Sequence, residues 1–218
     1  MKKMHALSAV LLVALTALGF SSCGLLGGDI GIDIPDQTFP FSLDAGLLRQ
    51  SLEQQLEISL DGLTEIPVGY PVNQTFPFEL DPQKVDFSDN ADLKKYIDAG
   101  KVSGVTVKYV QYTISTNSLN FALPSLEMWL DGYDATGITA SSQKVAVSGS
   151  IAAGWMGTDE VQFTTDGRQI LSDFLMSLKF AFIGKTDITV DTSVTRTIPT
   201  GQIEGQVTVG IRFTVSPL

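Results

Sequence analysis

Apolar and polar residues alternate through much of the C-terminal half of this chain. From Ile203 to Val215 apolar side chains take every second position except at Gly205, and the residues between them are mostly polar. A two-residue period is that of a β-strand with one buried and one solvated face, as in an antiparallel sheet. The same period predicts further strands over residues 56–60, 126–130, 145–151, 161–163 and 180–190.

The segment from Val102 to Ser115 is rich in Val, Tyr and Thr, and its composition predicts a long strand. The apolar parity of this segment switches near Tyr109 and Val110. Such a switch indicates either a β-bulge or a strand that is buried on both faces.

An eight-residue motif occurs twice in the N-terminal half. Gln37–Asp44 reads QTFPFSLD and Gln74–Asp81 reads QTFPFELD. Because proline has no amide hydrogen to donate to a sheet, Pro40 and Pro77 predict that both copies are edge strands. Two interpretations remain open: a pair of similar edge strands that arose by duplication, or a recognition motif read by a partner.

Three short helices are predicted between the strands. Asp44 and Asn90 are suitable caps for the first two, and Asp166 with Gln169 fits a capping box for the third. The third helix has the clearest apolar face at helical spacing. The predicted ranges are 45–54, 90–100 and 166–178.

Many strands and few helices predict a mainly β fold. We expect an antiparallel β-sandwich or a strongly curved sheet, with two or three short helices. Residues 31–218 are numerous enough for one β-rich domain with a sizeable core. A sub-boundary is conceivable only near residues 81–90, which are polar and contain a proline.

The first residues have a different pattern. Lys2 and Lys3 precede an uncharged, almost wholly apolar run over residues 6–20, and Ser21-Ser22-Cys23 follows. The run is short for a helix that must span the ~30 Å core of a bilayer, and its flanks are typical of an export signal. Small residues directly before a cysteine resemble the lipobox of bacterial lipoproteins.

This resemblance covers residues 1–23 only. It implies that residues 1–22 are removed as a signal peptide and that Cys23 becomes a lipidated N-terminus, with diacylglycerol on its sulfur and an acyl chain such as palmitate on its amine. Residues 23–30 would then form a flexible tether, since they include three glycines. Gly24 in place of Asp implies transfer to the outer membrane in a Gram-negative bacterium. The expected location is therefore the bacterial cell envelope.

Composition excludes several function classes. His5 is the only histidine and Cys23 the only cysteine, so the mature chain has no imidazole and no second thiol. Histidine-dependent nucleophilic catalysis and zinc sites need those groups. With 12 basic and 24 acidic side chains after residue 22, the net charge is −12, which disfavours nucleic acid. We predict no enzymatic activity, no catalytic residues and no cofactor.

Aromatic residues supply the candidate ligand-binding positions. Trp129 falls on the polar parity of its strand, and Trp155 lies in a glycine-rich stretch. Exposed aromatic rings at such positions can stack on sugars or anchor a protein interface. We therefore name Trp129, Trp155 and Tyr133 as the candidate ligand-binding residues, although burial in the core is the favoured interpretation for both tryptophans.

Two acidic groups are weaker candidates. Asp86, Asp89 and Asp92 could supply oxygen ligands to calcium, although helix capping explains the same residues. Asp131 and Asp134 could be interpreted as the paired carboxylates of a glycosidase, but the Asp-Gly sequence between them is common in turns. Our prediction is therefore no metal, with calcium at the first group as the alternative.

The leading functional hypothesis is a non-catalytic binding or structural module that is lipid-anchored in the envelope. One alternative is a carrier that encloses a lipid or another apolar ligand between the helix at 166–178 and the sheet. Another is a carbohydrate-binding module that uses the tryptophans. The expected partners are the membrane, through the anchor, and a protein, apolar or glycan ligand.

Overall fold

A computed structural model describes residues 28–218. Within that range the chain forms eleven strands and three helices. The strands are β1 (Ile30–Asp33), β2 (Gln37–Asp44), β3 (Asn73–Glu79), β4 (Gln83–Asp86), β5 (Val102–Asn117), β6 (Glu127–Asp131), β7 (Gln143–Val147), β8 (Gly157–Glu160), β9 (Gln162–Phe163), β10 (Lys179–Asp191) and β11 (Gln202–Val215). The helices are α1 (Ala45–Leu56), α2 (Lys94–Asp98) and α3 (Gly167–Met176).

Two antiparallel sheets pack against each other. The first has the order β8-β5-β11, and both β1 and β2 pair with the free edge of β11. The second has the order β9-β7-β6-β10, and both β3 and β4 pair with the free edge of β10. Phe39 of β2 stacks on Phe182 of β10 with ring centres 4.5 Å apart, which joins the two inner faces. The predicted β-sandwich with short helices is confirmed.

The repeated motif occupies equivalent places in the two sheets. Its first copy is β2 at the edge of the first sheet, and its second copy forms β3 at the edge of the second. The predicted edge position of Pro40 and Pro77 is therefore confirmed. The two edges lie on the same flank, because the Gln83 side-chain amide donates to the Pro40 carbonyl oxygen at 2.6 Å.

The long strand contains the bulge that its parity switch indicates. Tyr109 faces Gly210 of β11, whereas the next pair along is Val107 with Ile211. Lys108 is thus the extra residue on β5. A bulge of this kind moves the residues on either side to opposite parity while keeping both apolar sets in the core.

Two local predictions are wrong. Residues 56–60 form no strand: α1 continues to Leu56, Glu57 takes a left-handed conformation, and the Glu53 carboxylate accepts from the Leu60 amide at 2.8 Å. The Asp166 side chain makes no capping bond to α3. Gln169 donates instead to Asp173 at 2.8 Å, so the side chain needed for a capping box points along the helix.

The predicted capping residues of the first two helices, Asp44 and Asn90, do accept bonds from nearby backbone amides. The Asp44 carboxylate accepts from the Gly46 amide at 2.7 Å and caps α1. The Asn90 side chain accepts from the amides of Asp92 and Leu93, although α2 itself is confined to residues 94–98. No helix among residues 28–218 is long and apolar enough to cross a bilayer.

The strands of the sandwich run between two ends. At the proximal end Ile30, the first residue of β1, pairs with Val215 near the end of the chain, and α2 and α3 lie at this end too. At the distal end β11 begins at Gln202. The connections 57–72, 118–126, 148–156 and 192–201 lie there with α1. A strand as long as β11 separates the ends by roughly 40 Å.

Candidate functional site

Trp129 lies half-buried on the outer face of the second sheet. Its indole N–H donates to Glu127 at 2.9 Å, and Glu127 also accepts from Lys144 at 2.8 Å. The Lys144 ammonium lies 5.7 Å from the Trp129 ring centre. The polar side chains around the indole therefore already have partners on their own sheet.

Trp155 lies half-buried at the distal end, and its ring packs against Tyr112 with centres 6.0 Å apart. The Asn117 side-chain amide donates to the carbonyl oxygens of Ala152 and Trp155 at 3.0 and 3.1 Å. These contacts hold the 152–155 turn against the end of β5. The indole closes one side of the core, and the two tryptophans do not share a site.

Tyr133 belongs to a surface cluster of charges. The ammonium groups of Lys84 and Lys179 lie 4.8 and 5.7 Å from its ring centre. Lys84 pairs with Asp134 at 3.6 Å, and Lys179 pairs with Asp86 at 2.8 Å. Both cations over the ring are thus neutralised by neighbouring carboxylates.

The predicted calcium alternative finds no support. The Asp86 carboxylate is held by Lys179 and Ser88, which lower its pKa to about 2, and Asp89 pairs with Lys94 at 3.4 Å. Asp92 is exposed in the turn that Asn90 caps. Within residues 28–218 no three Asp, Glu, His or Cys side chains are grouped so that they could hold a metal ion.

Asp131 closes the turn that follows β6. Ser142 donates to its carboxylate at 2.5 Å and Thr139 at 2.9 Å, and the Gly132 amide donates at 2.7 Å. These bonds, with that of Ser142 the largest, lower the pKa of Asp131. A glycosidase acid needs a raised pKa and a cleft, so this carboxylate is suited to holding the turn. Asp134 is exposed and ion-paired.

The interior offers no room for an apolar cargo. The space between α3 and the inner faces of the sheets, bounded by Leu171, Leu175 and Phe180 among others, holds a cavity of about 20 Å³. A single water needs about that much, whereas small-molecule sites are on the order of 300–1,000 Å³. The core of residues 28–218 is therefore filled by its own side chains. Cys23, the predicted lipidation site, lies outside the described residues.

A cleft of about 310 Å³ opens at the distal end. It is walled on three sides by separate parts of the chain, which makes it more enclosed than two grooves of about 420 Å³ that run beside Pro40 and Phe41 on the open flank. Its lining consists of Asn120, Phe121, Ala122, Pro124, Ile188, Thr189, Val190, Thr195, Thr197 and Pro199.

Asn120 fixes two walls of the cleft relative to each other. Its side-chain amide donates to the Ile198 carbonyl at 2.9 Å, and its side-chain oxygen accepts from the Thr200 amide at 2.9 Å. The Asn120 backbone N–H also donates to the Thr200 carbonyl at 3.2 Å. Three bonds from one residue hold the 118–124 and 195–200 segments at a set separation, so the cleft is formed before any ligand arrives.

The lining of the cleft carries no charged side chain. The chain has no charged residue from Ile66 to Phe78, from Ser115 to Leu126 or from Val145 to Thr158. Arg196 is the single charge between residues 192 and 203, and its guanidinium donates to the Ile66 carbonyl. Hydroxyl, amide and apolar groups together favour a neutral ligand.

No periodic pattern in the sequence predicts this cleft, because its walls come from segments far apart in the chain. None of Trp129, Trp155 and Tyr133 lines it. The signal that could have indicated it is the absence of charge from three long runs of an otherwise acidic chain. That signal marks the distal loops but does not indicate which of them meet.

Comparisons with known proteins add little. No protein-family model matches the chain, and no curated protein sequence matches it. Among solved structures it is similar to one from turnip yellow mosaic virus, with 9% identity over 72% of this chain and 87% of that chain and a TM-score of 0.27. A structure from Desmodium yellow mottle tymovirus has 12% identity over 72% of this chain and 95% of that chain, with a TM-score of 0.26. A structure of infectious bursal disease virus, Gx strain, has 12% identity over 87% of this chain and 37% of that chain, with a TM-score of 0.27. TM-scores this low carry no argument about fold or function.

Proposed function

We propose that this protein is a non-catalytic binding module, anchored in the bacterial cell envelope through a lipid on Cys23, which holds its ligand in the distal cleft. The observation that carries the proposal is the placement of the cleft. It lies at the opposite end of the sandwich from Ile30, where the N-terminal segment joins the fold. A chain tethered at the proximal end presents the distal end to whatever lies away from the membrane.

The connection to the tether is reinforced. Arg212 of β11 donates to the Asp33 carboxylate at 2.6 and 3.1 Å, and Lys108 pairs with it at 3.3 Å. Asp29 accepts from Ser216 at 3.1 Å. The four-residue strand β1 is therefore held to its neighbours by side chains as well as by its ladder, which suits a segment that transmits a pull from the anchor.

The non-catalytic part of the proposal rests on the available side chains. Residues 28–218 contain no histidine and no cysteine. The most buried carboxylate among them, that of Asp131, is held ionised by three hydroxyls and an amide. The lining of the cleft has neither a titratable group nor a nucleophile paired with a base. The filled interior argues against a carrier of an apolar ligand.

Two measurements test the anchored arrangement. Mass spectrometry of the protein purified from its own membranes should find residues 1–22 absent and fatty chains on Cys23, and Cys23→Ala should release the protein from the membrane fraction. An intact leader, or a Cys23 free of fatty chains, would contradict the anchor.

The orientation needs a separate readout. A dye is attached to Val194→Cys at the distal end or to Lys101→Cys at the proximal end of the lipidated protein in vesicles that contain brominated lipid. The seven residues from Cys23 to Asp29 reach at most about 25 Å, so the proximal dye should be quenched more strongly than the distal one. Equal quenching of the two dyes would contradict the orientation.

A further inference from the structure

One edge of β10 is left open inside the distal cleft. β10 pairs with β3 over residues 185–191, but it pairs with β6 on its other edge only over residues 181–185. From Thr186 to Asp191 no strand among the described residues pairs with the β6 side. Part of this stretch, Ile188–Val190, is the wall of the cleft.

The peptide groups of two residues point into this gap. The Gly184 carbonyl accepts from the Leu80 amide at 2.8 Å, and the Thr192 amide donates to the Val72 carbonyl at 2.9 Å, both on the β3 side. Backbone groups alternate in direction along a strand. Those of Asp187 and Thr189 therefore face the β6 side, where β6 has already ended.

The chain leaves the gap open for a local reason. The residues that would extend β6 alongside β10 are Leu126 and those before it. The Leu126 peptide group faces β7, because its N–H donates to Ser148 Oγ at 2.8 Å and its carbonyl accepts from the Ser148 amide at 2.9 Å. Leu123 then pairs with Ile151, beyond the end of β7, through two backbone bonds of 2.9 Å. The segment thus turns toward β7 and becomes the far wall of the cleft.

We propose that the distal cleft takes an extended, uncharged peptide segment of a partner protein, which pairs with β10 at Asp187 and Thr189 as an added strand. This inference rests on the proposed function of the cleft and names its ligand class. An added strand recognises its host through main-chain hydrogen bonds, and shallow pockets beside it select side chains. A cleft of about 310 Å³ has room for a few residues, and three extended residues span about 10 Å.

The geometry favours a peptide over a sugar. Asp187 and Thr189 each offer one donor and one acceptor, repeated at the two-residue spacing of a strand, which another backbone matches in register. Sugar recognition commonly uses a flat aromatic platform flanked by several polar side chains, whereas Phe121 is the one aromatic residue in the lining and neither tryptophan belongs to it. The lining of the cleft itself offers no partner to an acidic or basic side chain, and burying one unpaired is costly. The charges of Asp187 and Lys185, beside the cleft, pair with each other at 3.3 Å.

The experiment uses the lipidated protein in nanodiscs and two kinds of probe. The first is a library of capped hexapeptides made from uncharged residues, and the second is a set of neutral oligosaccharides. Binding is followed by fluorescence polarisation, and the bound site is located by hydrogen exchange. We expect saturable binding of extended peptides up to millimolar concentration, with slowed amide exchange confined to residues 186–191.

The proposed main-chain hydrogen bonds are tested by removing a donor N–H from the protein or from the peptide. Thr189→Pro deletes the amide hydrogen that faces the cleft, and Thr189→Val keeps that hydrogen as the matched control. N-methylation of the central peptide residue removes the reciprocal bond, from a peptide N–H to a β10 carbonyl, on unaltered protein, which covers the case that the proline variant does not fold. Losing one such bond should weaken binding about tenfold, whereas Thr189→Val should bind nearly as the parent does.

Each remaining outcome has a defined meaning. Peptides that bind with no protection at 186–191, or equally well after N-methylation, would refute the added strand. No binding by any library member would refute it as well. An oligosaccharide that slows exchange around the cleft while the peptides do not would refute the peptide class but leave the distal cleft as the binding site. Loss of the lipid anchor, tested above, bears on the proposed function alone.

Discussion

The two ends of the sandwich are held together by different chemistry. At the proximal end charged groups connect the elements: Arg212 and Lys108 hold Asp33, and Lys179 holds Asp86. At the distal loops uncharged groups do so, and Asn120 is the clearest example. Arg196 is the exception in these loops, since its guanidinium donates to the Ile66 carbonyl, and other distal charges lie in α1 and the residues after it, where Arg49 pairs with Glu53. Surface ion pairs weaken when salt screens the charges or when a change of pH neutralises one of them. Hydrogen bonds of an uncharged side-chain amide depend on neither. We therefore expect the shape of the cleft to depend less on salt and pH than the contacts of the proximal end do.

Alanine substitutions at two distal glycines, Gly201 and Gly69, should differ most in their effect on the free energy of unfolding. Gly201 has a φ of +92°, and an added Cβ would lie 2.1 Å from the Ser118 carbonyl oxygen, so Gly201→Ala should lower the free energy of unfolding by more than about 3 kcal/mol. Gly69 has a φ of +99° but open space around it, so Gly69→Ala should cost only about 1–2 kcal/mol. Urea unfolding of both variants measures the difference. Equal costs would mean that the junction before β11 yields easily and that the distal end is not rigid.

A second pair of variants compares bonded and unbonded hydroxyls in the half of the sandwich nearer the cleft. The Thr186 hydroxyl is buried without a partner and borders an apolar cavity of about 10 Å³. Thr186→Val should therefore raise the free energy of unfolding by about 1 kcal/mol. Ser148 accepts from Leu126 and donates to Gly149, so Ser148→Ala should lower it by about 1–3 kcal/mol. Thermal unfolding gives both values, and a destabilised Thr186→Val would show that the hydroxyl has an unseen water partner.

Acid should loosen the proximal end first. The Arg212 guanidinium, with Lys108, lowers the pKa of Asp33 from 3.8 to about 2. A depressed folded-state pKa stabilises the fold above pH 3.8, and that contribution is lost as the pH falls toward 2. Protection of the β1 amides, measured relative to the intrinsic exchange rate at each pH, should fall over this interval more than protection of the amides around Asn120.

Asp33→Asn should make β1 exchange fast already at neutral pH and remove most of its pH dependence. Glu160→Gln, at an exposed position on β8, is the matched control and should leave β1 unchanged. Uniform loosening of both ends between pH 4 and 2 would show that the charge network at Asp33 is not what holds β1.

The smallest effect is expected at the tip of the distal loops. Val194 is 82% exposed in a turn that its amide closes by donating to the Asp191 carbonyl at 3.1 Å. Val194→Asp should change the free energy of unfolding by no more than about 0.5 kcal/mol. Val190, 5% exposed in the cleft wall, is the contrasting position, since Val190→Asp would bury a charge. A large loss of stability in the Val194 variant would mean that the tip is packed rather than free.

Sequence pattern predicted those parts of the fold that depend on local rules. Alternation identified β11, the prolines placed β2 and β3 at edges, and the parity switch near Tyr109 marked the bulge at Lys108. It failed at residues 56–60, where a short alternation has no strand to pair with and Glu53 caps a turn instead. Local rules do not report whether a partner strand is within reach.

The candidate cleft was beyond such rules. The cleft exists because β10 extends beyond the end of β6 and because Asn120 bonds to Thr200. Both features depend on how distant segments pack in the tertiary structure. The sequence marks the two tryptophans as single residues, but the Trp129 indole N–H already donates to Glu127 and the Trp155 ring already packs on Tyr112. The one sequence signal for the cleft is the absence of charge from the distal loops, and it does not indicate which loops form the walls.

The prolines of the repeated motif hinder edge-to-edge pairing between neighbouring copies of the molecule. Under the proposed anchoring, molecules side by side on one surface would meet flank to flank, and an open sheet edge favours pairing of such neighbours into a continuous sheet. Pro40 and Pro77 interrupt the donor row on that flank in both sheets, and the opposite flank carries Asp159 and Glu160 on β8. Dense arrays of this molecule should therefore stay as separate units.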